Sequence, residues 1–166
     1  MARDPDCLFC KIVAGEIPST RVDEDDRTVA FMDINPATRG HALVIPREHY
    51  RDLHDVPADE LAATVVAAQR LAGRVRDRLD ADGINLLNSC GSAAWQTVFH
   101  FHVHVIPRYN DDPLRLPWRP QPGDADEIAA AGERHPQSPF SSSPAAAISS
   151  ASPGCGRHGS RSGSSR

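Results

Sequence analysis

The sequence contains no run that approaches the roughly 20 apolar residues needed for a transmembrane helix. Its first residues, Met-Ala-Arg-Asp-Pro-Asp, lack the apolar segment of a secretion signal. The sequence also has no excess of basic over acidic residues. Residues 133–166 hold four of the 18 basic and one of the 22 acidic residues, so residues 1–132 carry a net charge of about −7. These absences predict a cytoplasmic protein with no membrane partner and no nucleic acid polymer as a partner.

The 166 residues suffice for one domain with a substantial core. Apolar residues at steps of three and four predict a long helix from Ala58 to Leu79, with Gly83 as its stop. A short helical turn follows Cys7, and residues 28–33, 41–46 and 84–88 have the composition of strands.

This order predicts an α+β domain over residues 1–132, with a mostly antiparallel sheet of about five strands, one long helix and a short N-terminal helix. So small a sheet leaves apolar area uncovered, which favours a homodimer. Residues 133–166 are rich in Ser, Pro, Gly and Arg, and we expect this tail to be disordered.

Three histidines alternate with apolar residues in residues 98–106, VFHFHVHVI. A strand sends successive side chains to opposite faces, so His100, His102 and His104 are expected on one face, about 6–7 Å apart. The opposite, buried face would hold Phe99, Phe101, Val103 and Val105.

The histidine row has three interpretations. It could be a core strand with incidental histidines, although three on one face are more than packing requires. It could hold a catalytic metal, but no Asp or Glu lies between Asp82 and Asp111 to activate water. The third interpretation is nucleophilic catalysis, in which a neutral imidazole attacks phosphorus while its neighbours orient the phosphate. We favour the third, with the middle histidine, His102, as nucleophile.

Residues 96–106 (QTVFHFHVHVI) resemble the His-φ-His-φ-His-φ-φ signature of the histidine triad (HIT) superfamily. The resemblance extends upstream to residues 7–18 (CLFCKIVAGEIP), 30–36 (AFMDINP) and 40–46 (GHALVIP), which look like the Hint-like bacterial branch. One departure stands out. Many members carry Gly before the Gln of the signature, whereas this chain has Trp95, which predicts a narrower or differently aimed mouth of the phosphate loop.

The resemblance implies a nucleotide hydrolase or transferase that acts on the α-phosphate of purine nucleoside 5′-phosphoramidates or related adenylates. The reaction would pass through a nucleotidyl-histidine and release a nucleoside monophosphate. Two alternatives stay open at this point. One is a hydrolase or phosphorylase of dinucleoside polyphosphates, and the other is a nucleotide-binding regulator whose hydrolysis is incidental.

The resemblance also implies a role for each site residue. His102 would be the nucleophile, His104 would orient the phosphate, and His41 would approach the triad from upstream. Asp33 would bind the ribose hydroxyls. The phosphate oxygens or the leaving group would be held by Asn88 or Ser89, Gln96 and Thr97. A slot for the purine ring would be formed by Leu8, Phe9, Ile12, Phe31 and Ile34, for which ordinary core packing is the alternative.

Cys7 and Cys10 have the spacing of a structural zinc half-site, which needs two further ligands. The resemblance to zinc-bearing bacterial relatives implies that His49 and His100 complete a Cys₂His₂ site that takes no part in the chemistry. A thioredoxin-like redox pair is the alternative, but no strand precedes the pair and no βαβ unit surrounds it. We therefore expect structural Zn²⁺ and no cofactor for catalysis.

Overall fold

The structure, a computed structural model, describes residues 3–115 and 119–135. Its elements in chain order are α1 (Leu8–Ala14), β1 (Arg21–Glu24), β2 (Thr28–Met32), β3 (Ala42–Pro46), α2 (Ala58–Leu79), β4 (Gly83–Leu87), a 3₁₀ turn (Ser92–Ala94), β5 (Val103–Arg108) and α3 (Ala125–Arg134). The strands form an antiparallel sheet in the order β1-β2-β3-β5-β4. The predicted α+β fold with a five-stranded antiparallel sheet is confirmed.

Different helices cover the two faces of this sheet. On one face, α2 packs on alternate residues of the central strands, among them Ala30, Val44 and Val105. On the other face, α1 packs on Phe31 and Ile45. Because strands β2 and β3 are buried on both sides, they appear in the sequence as continuous apolar runs.

Helix α2 has the bounds that its apolar spacing predicts. Acidic residues in its first turn and Arg76 and Arg78 in its last turn complement the helix dipole. The expected stop at Gly83 is wrong, because Asp80 already ends the helix with a φ of 53°. Asp is among the few non-glycine residues that adopt this left-handed conformation readily.

The histidine segment is strand only in its second half, so the prediction of one strand over residues 98–106 is wrong. Residues 98–100 form a bend and β5 begins at Val103. The bend frees the side chains before β5 from strict alternation. The ring centroids of His102 and His104 are therefore 4.9 Å apart, closer than the spacing of about 6–7 Å expected between alternate residues of a regular strand. Phe99, expected to be buried, is 36 % exposed, and the Arg51 guanidinium lies 4.9 Å from its ring centroid.

Helix α3 lies in a second unit that begins after residue 116. The Asp124 carboxylate caps it by accepting hydrogen bonds from the amides of Asp126 and Glu127. The expected domain boundary between residues 132 and 133 falls within this helix and stays a prediction. The expected disordered tail lies, from residue 136 onward, outside the described residues. No helix among the described residues has the length and apolar character needed to span a bilayer.

Candidate active site

A cleft of about 240 Å³ opens on the face of the sheet that α1 covers. Phe31, Leu43 and His104 pair directly across three neighbouring strands and so share this face. Nine predicted site residues line the cleft: Leu8, Phe9, Ile12, Phe31, Asp33, Ile34, Thr97, His102 and His104. Seven lining residues were not predicted: Ile17, Pro18, Ser19, Met32, Asn35, Leu43 and Val98. All of them except Ser19 lie in the segments that carry the family resemblance, so their place in the chain was the signal that could have found them.

His102 is oriented by its own main chain. Its Nδ1 lies 2.6 Å from the carbonyl oxygen of His100, so we assign the imidazole proton to Nδ1, which donates it to that oxygen. The Nε2 atom then carries the free lone pair. The Phe9 ring packs edge-on against this imidazole at a centroid distance of 5.3 Å. The hydrogen bond to the His100 carbonyl and the contact with the Phe9 ring together orient the buried His102 imidazole, whose Nε2 is its one free nucleophilic nitrogen.

His41 and His104 form a hydrogen-bonded pair beside His102. The amide of Ala37 donates to Nδ1 of His41 at 3.1 Å, which places the proton of neutral His41 on Nε2. That Nε2 lies 2.9 Å from Nδ1 of His104 and donates to it. The remaining proton of His104 therefore sits on Nε2. His41 does not line the cleft, but it fixes the tautomer of the histidine that does.

Burial keeps these imidazoles neutral. It lowers the pKa of His104 to about 4, with smaller contributions from the nearby His102 and His41. Burial also lowers the pKa of His102 and of His41, although the Asp33 carboxylate opposes the effect on both. At neutral pH the cleft thus presents uncharged imidazoles, the form in which a histidine acts as a nucleophile.

Asp33 follows β2 and lies at the edge of the cleft. Its Oδ1 accepts a hydrogen bond from the amide of Asn35 at 2.8 Å, and its Oδ2 lies 3.6 Å from Nδ1 of His41. A carboxylate held in this way has acceptor capacity left for hydroxyl groups. Its position beside an apolar wall fits the predicted role at a ribose, which stays a prediction.

Asn88, Ser89 and Gln96 do not line the cleft. The Asn88 amide donates to the His102 carbonyl at 2.9 Å, and Ser89 is buried. Gln96 donates to the carbonyls of Arg51 and Val98 and accepts from the amide of Gly91. Asn88 and Gln96 therefore hold the two ends of the loop between β4 and the histidines. Their predicted contacts with a ligand stay predictions.

The predicted metal ligands converge beneath α1. The four ligand atoms of Cys7, Cys10, His49 and His100 lie within 4.8 Å of one another. Nδ1 of His100 is 3.5 Å from Sγ of Cys7 and 3.6 Å from Sγ of Cys10, and Nδ1 of His49 is 3.4 Å from Sγ of Cys10. Zn–S bonds of about 2.3 Å and Zn–N bonds of about 2.05 Å at tetrahedral angles require a sulfur–nitrogen distance of about 3.6 Å. The spacing thus fits tetrahedral zinc.

The chemistry of these donors fits a metal as well. The Nε2 atom of His100 donates to the Pro46 carbonyl at 3.0 Å, so its Nδ1 lone pair faces the two sulfurs. Burial lowers the pKa of His100 to about 4, which keeps that lone pair free of a proton. Burial also raises the pKa of the Cys10 thiol. A cation among these atoms would favour the thiolate that burial alone disfavours.

The sequence and the fold of this chain are similar to those of known proteins. The HIT domain family matches residues 14–111, more than half of the chain. The chain belongs to the HIT family. Among HIT relatives, Protein hit of Bacillus subtilis (strain 168) is 47 % identical over 104 residues, which is 62 % of this chain and 71 % of that protein. Adenosine 5′-monophosphoramidase hnt1 of Schizosaccharomyces pombe is 39 % identical over 128 residues, 76 % of this chain and 93 % of the relative. A zinc-bound histidine triad family protein from Mycobacterium smegmatis has a TM-score of 0.65 and 45 % identity, covering 70 % of this chain and 84 % of its own.

Proposed function

We propose that this HIT protein is a nucleotide hydrolase that acts on purine nucleoside 5′-phosphoramidates or related adenylates through a nucleotidyl-histidine. The hydrogen bond from Nδ1 of His102 to the His100 carbonyl carries the proposal, because it leaves Nε2 as a free lone pair on a residue that lines the cleft. Membership of a family of nucleotide hydrolases supports it. So does the similarity to a relative named as an adenosine 5′-monophosphoramidase.

In the first step, the Nε2 lone pair of His102 bonds to the α-phosphorus, and the bond from phosphorus to the leaving nitrogen breaks. The electron pair of that bond stays on the nitrogen, which takes up one proton from solvent. His102 becomes a phosphorylated imidazolium whose positive charge is stabilised by its Nδ1–H···O=C hydrogen bond. His104, neutral and protonated on Nε2, donates a hydrogen bond to a non-bridging phosphate oxygen.

In the second step, water attacks the same phosphorus, and the bond from phosphorus to Nε2 of His102 breaks. The lone pair returns to His102, and the proton lost by water balances the one taken up in the first step. The products are a nucleoside monophosphate and a free amine.

The walls of the cleft support this substrate class. Leu8, Phe9, Ile12 and Phe31 offer an apolar slot for a purine ring, and Asp33 offers acceptors for the ribose hydroxyls. At about 240 Å³ the cleft is smaller than the pockets of about 300–1,000 Å³ that hold drug-sized ligands. It therefore suits one nucleoside, which favours mononucleotide derivatives over dinucleoside polyphosphates.

We propose that Cys7, Cys10, His49 and His100 hold one structural zinc ion. The fit of their spacing and the zinc-bound relative support this assignment. When bound, the ion supplies a crosslink between the start of α1 and the segment before β5. His100 binds through Nδ1 while its main-chain carbonyl fixes His102, so the crosslink positions the nucleophile without touching the substrate.

We also propose a cytoplasmic homodimer. Strand β4 is at the edge of the sheet, and Leu86 and Leu87 on it are 45 % and 42 % exposed. An edge with exposed leucines is a surface on which a second copy can add its own strand. The thiols of Cys7 and Cys10 are free of disulfides, as metal binding in a reducing compartment requires.

The test compares wild type with His102→Ala and His54→Ala, where His54 is an exposed histidine outside the cleft. With adenosine 5′-phosphoramidate, we expect wild type and His54→Ala to release AMP. His102→Ala should lose at least 1,000-fold in kcat yet bind AMP with unchanged affinity in calorimetry. Retained turnover in His102→Ala would refute the proposal. Binding without turnover in wild type would favour the regulator.

A further inference from the structure

Trp95 adopts a conformation that tryptophan rarely takes. Its φ is +68°, in the left-handed region, where the side chain of a bulky residue crowds its own main chain. The turn is held closed by hydrogen bonds from the Trp95 amide to the Ser92 carbonyl at 3.0 Å and from the Gln96 amide to the Gly91 carbonyl at 3.1 Å. A glycine would adopt the same turn without strain.

Packing among the residues that the structure describes does not offset this strain. The Trp95 side chain is 63 % exposed. Among residues 3–115 and 119–135, no aromatic or guanidinium group stacks on its indole, whereas Arg51 does stack on Phe99. An exposed, strained aromatic residue destabilises the free protein, and such residues concentrate at functional sites. A contact that Trp95 makes with a bound ligand would offset this cost.

The loop that carries Trp95 is attached to the active site at both ends. It begins at Asn88, which donates to the His102 carbonyl, and reaches the cleft at Thr97, two residues after Trp95. A second hollow of about 300 Å³ shares Leu8, Thr97 and Val98 with the cleft. A ligand that extends out of the cleft on this side passes the segment that Trp95 precedes.

In the proposed function the nucleoside occupies the cleft, so the leaving group is the part of the substrate that extends beyond it. We propose that Trp95 is a specificity-determining residue that stacks on leaving groups carrying an aromatic ring. This inference rests on the proposed function. An indole is the side chain best suited to a planar ring in water, because stacking buries apolar area on both partners.

The test uses two adenosine 5′-phosphoramidates that differ only in the ring of the leaving amine, phenethylamine in one and 2-cyclohexylethylamine in the other. The readout is the ratio of their kcat/KM values in wild type, Trp95→Phe, Trp95→Ala and Trp95→Gly. Ratios between variants cancel the different basicity of the two amines. Adenosine 5′-phosphoramidate, whose leaving group is ammonia, is the control for the chemistry.

We expect the aromatic-to-saturated ratio to fall about 5-fold to 100-fold in Trp95→Ala and Trp95→Gly, the range of one stacking contact. Trp95→Phe should keep most of the ratio, and the ammonia substrate should be cleaved equally by all four chains. Trp95→Gly should melt about 2–5 °C above Trp95→Ala, because only glycine relieves the φ strain. An unchanged ratio in the Ala and Gly variants would overturn the proposal, and a raised ratio would mean that Trp95 excludes such groups.

A binding measurement keeps the two proposals separable. The chain contains two tryptophans, so Trp118→Phe leaves Trp95 as the only one. The phenethylamide, and not AMP, should quench its fluorescence in a His102→Ala background that cannot turn over. If wild type cleaves none of the substrates, the proposed function fails, while this quench still decides the role of Trp95. Equal quenching by the phenethylamide and its cyclohexyl analogue would overturn that role.

Discussion

Replacing His104 by Asn removes one titrating imidazole from the cleft with little change in shape. The Asn oxygen stands near the position of Nδ1 of His104, so it can still accept the hydrogen bond from Nε2 of His41. The variant thus keeps the hydrogen bond from His41 and loses the imidazole that can take up a proton. In the proposed reaction His104 is neutral in the resting enzyme, and this substitution measures how strongly the fold favours the neutral form.

The size of the expected change in the free energy of unfolding follows from the pKa of His104. Burial lowers the pKa of His104 to about 4 from the ordinary 6.5. The folded chain thus binds this proton less tightly than the unfolded chain. The stability that results is fully present above pH 6.5 and is lost as the pH falls toward 4. At about 1.36 kcal/mol per pKa unit the whole shift would be worth about 3 kcal/mol. His104 is partly exposed, and solvent screening reduces the expected effect to about 1–2 kcal/mol.

Urea unfolding of wild type and His104→Asn at pH 7.5 and pH 5.0 tests this value. Every other titrating group is present in both chains, so the difference between the two pH-dependent losses isolates His104. We expect the free energy of unfolding of wild type to fall by about 1 kcal/mol more than that of the variant. Equal losses would refute a neutral, buried His104, and a smaller loss in wild type would mean that its pKa is raised.

Three further predictions concern the metal, the loop and the edge strand. Cys10→Ser should abolish zinc binding, as measured by metal analysis, whereas the control Cys90→Ser should keep one zinc per chain. Loss of the ion should lower the free energy of unfolding by about 4 kcal/mol, the value expected when free zinc is 1,000-fold above its Kd. Zinc-free wild type with unchanged stability would contradict this. Asn88→Ala removes the hydrogen bond to the His102 carbonyl, so it should lower kcat about 10-fold while lowering the free energy of unfolding by only about 1 kcal/mol. An unchanged kcat would mean that Asn88 does not position His102. Leu86→Lys should reduce the sedimentation mass to that of one chain, and Val22→Lys on the opposite edge should not. A wild-type mass of one chain would remove the dimer.

The elements with regular apolar spacing could be predicted from the sequence. Helix α2 buries one face and strands β2 and β3 are buried on both faces, so the apolar spacing of each follows the packing that it needs. Strand β1, by contrast, contains the charged residues Arg21, Asp23 and Glu24 and is mostly exposed. Its pairing with β2, interrupted by a register shift, holds it in the sheet, and this long-range contact leaves no local signal.

In the candidate site, too, some features could be predicted from the sequence and others could not. The residues that touch the cleft come from segments whose order along the chain matches the family signature, so the sequence sufficed to name nine of them. The hydrogen bonds of Asn88 and Gln96 depend on where a loop folds back onto His102 and Arg51, and spacing cannot give that. The bend before β5 likewise depends on packing. It brings His100 to the cysteines and His102 to the cleft, a division of roles within one motif.

In the proposed reaction, Nε2 of His102 forms a covalent bond to the α-phosphorus. Mass spectrometry of the protein, acid-quenched during turnover of adenosine 5′-phosphoramidate and digested at a pH that preserves phosphoramidates, tests it most directly. We expect an adduct of one AMP moiety on the peptide that contains residues 98–106, with fragmentation placing it on His102. An adduct on another residue, or AMP release with no adduct at any quench time, would contradict it.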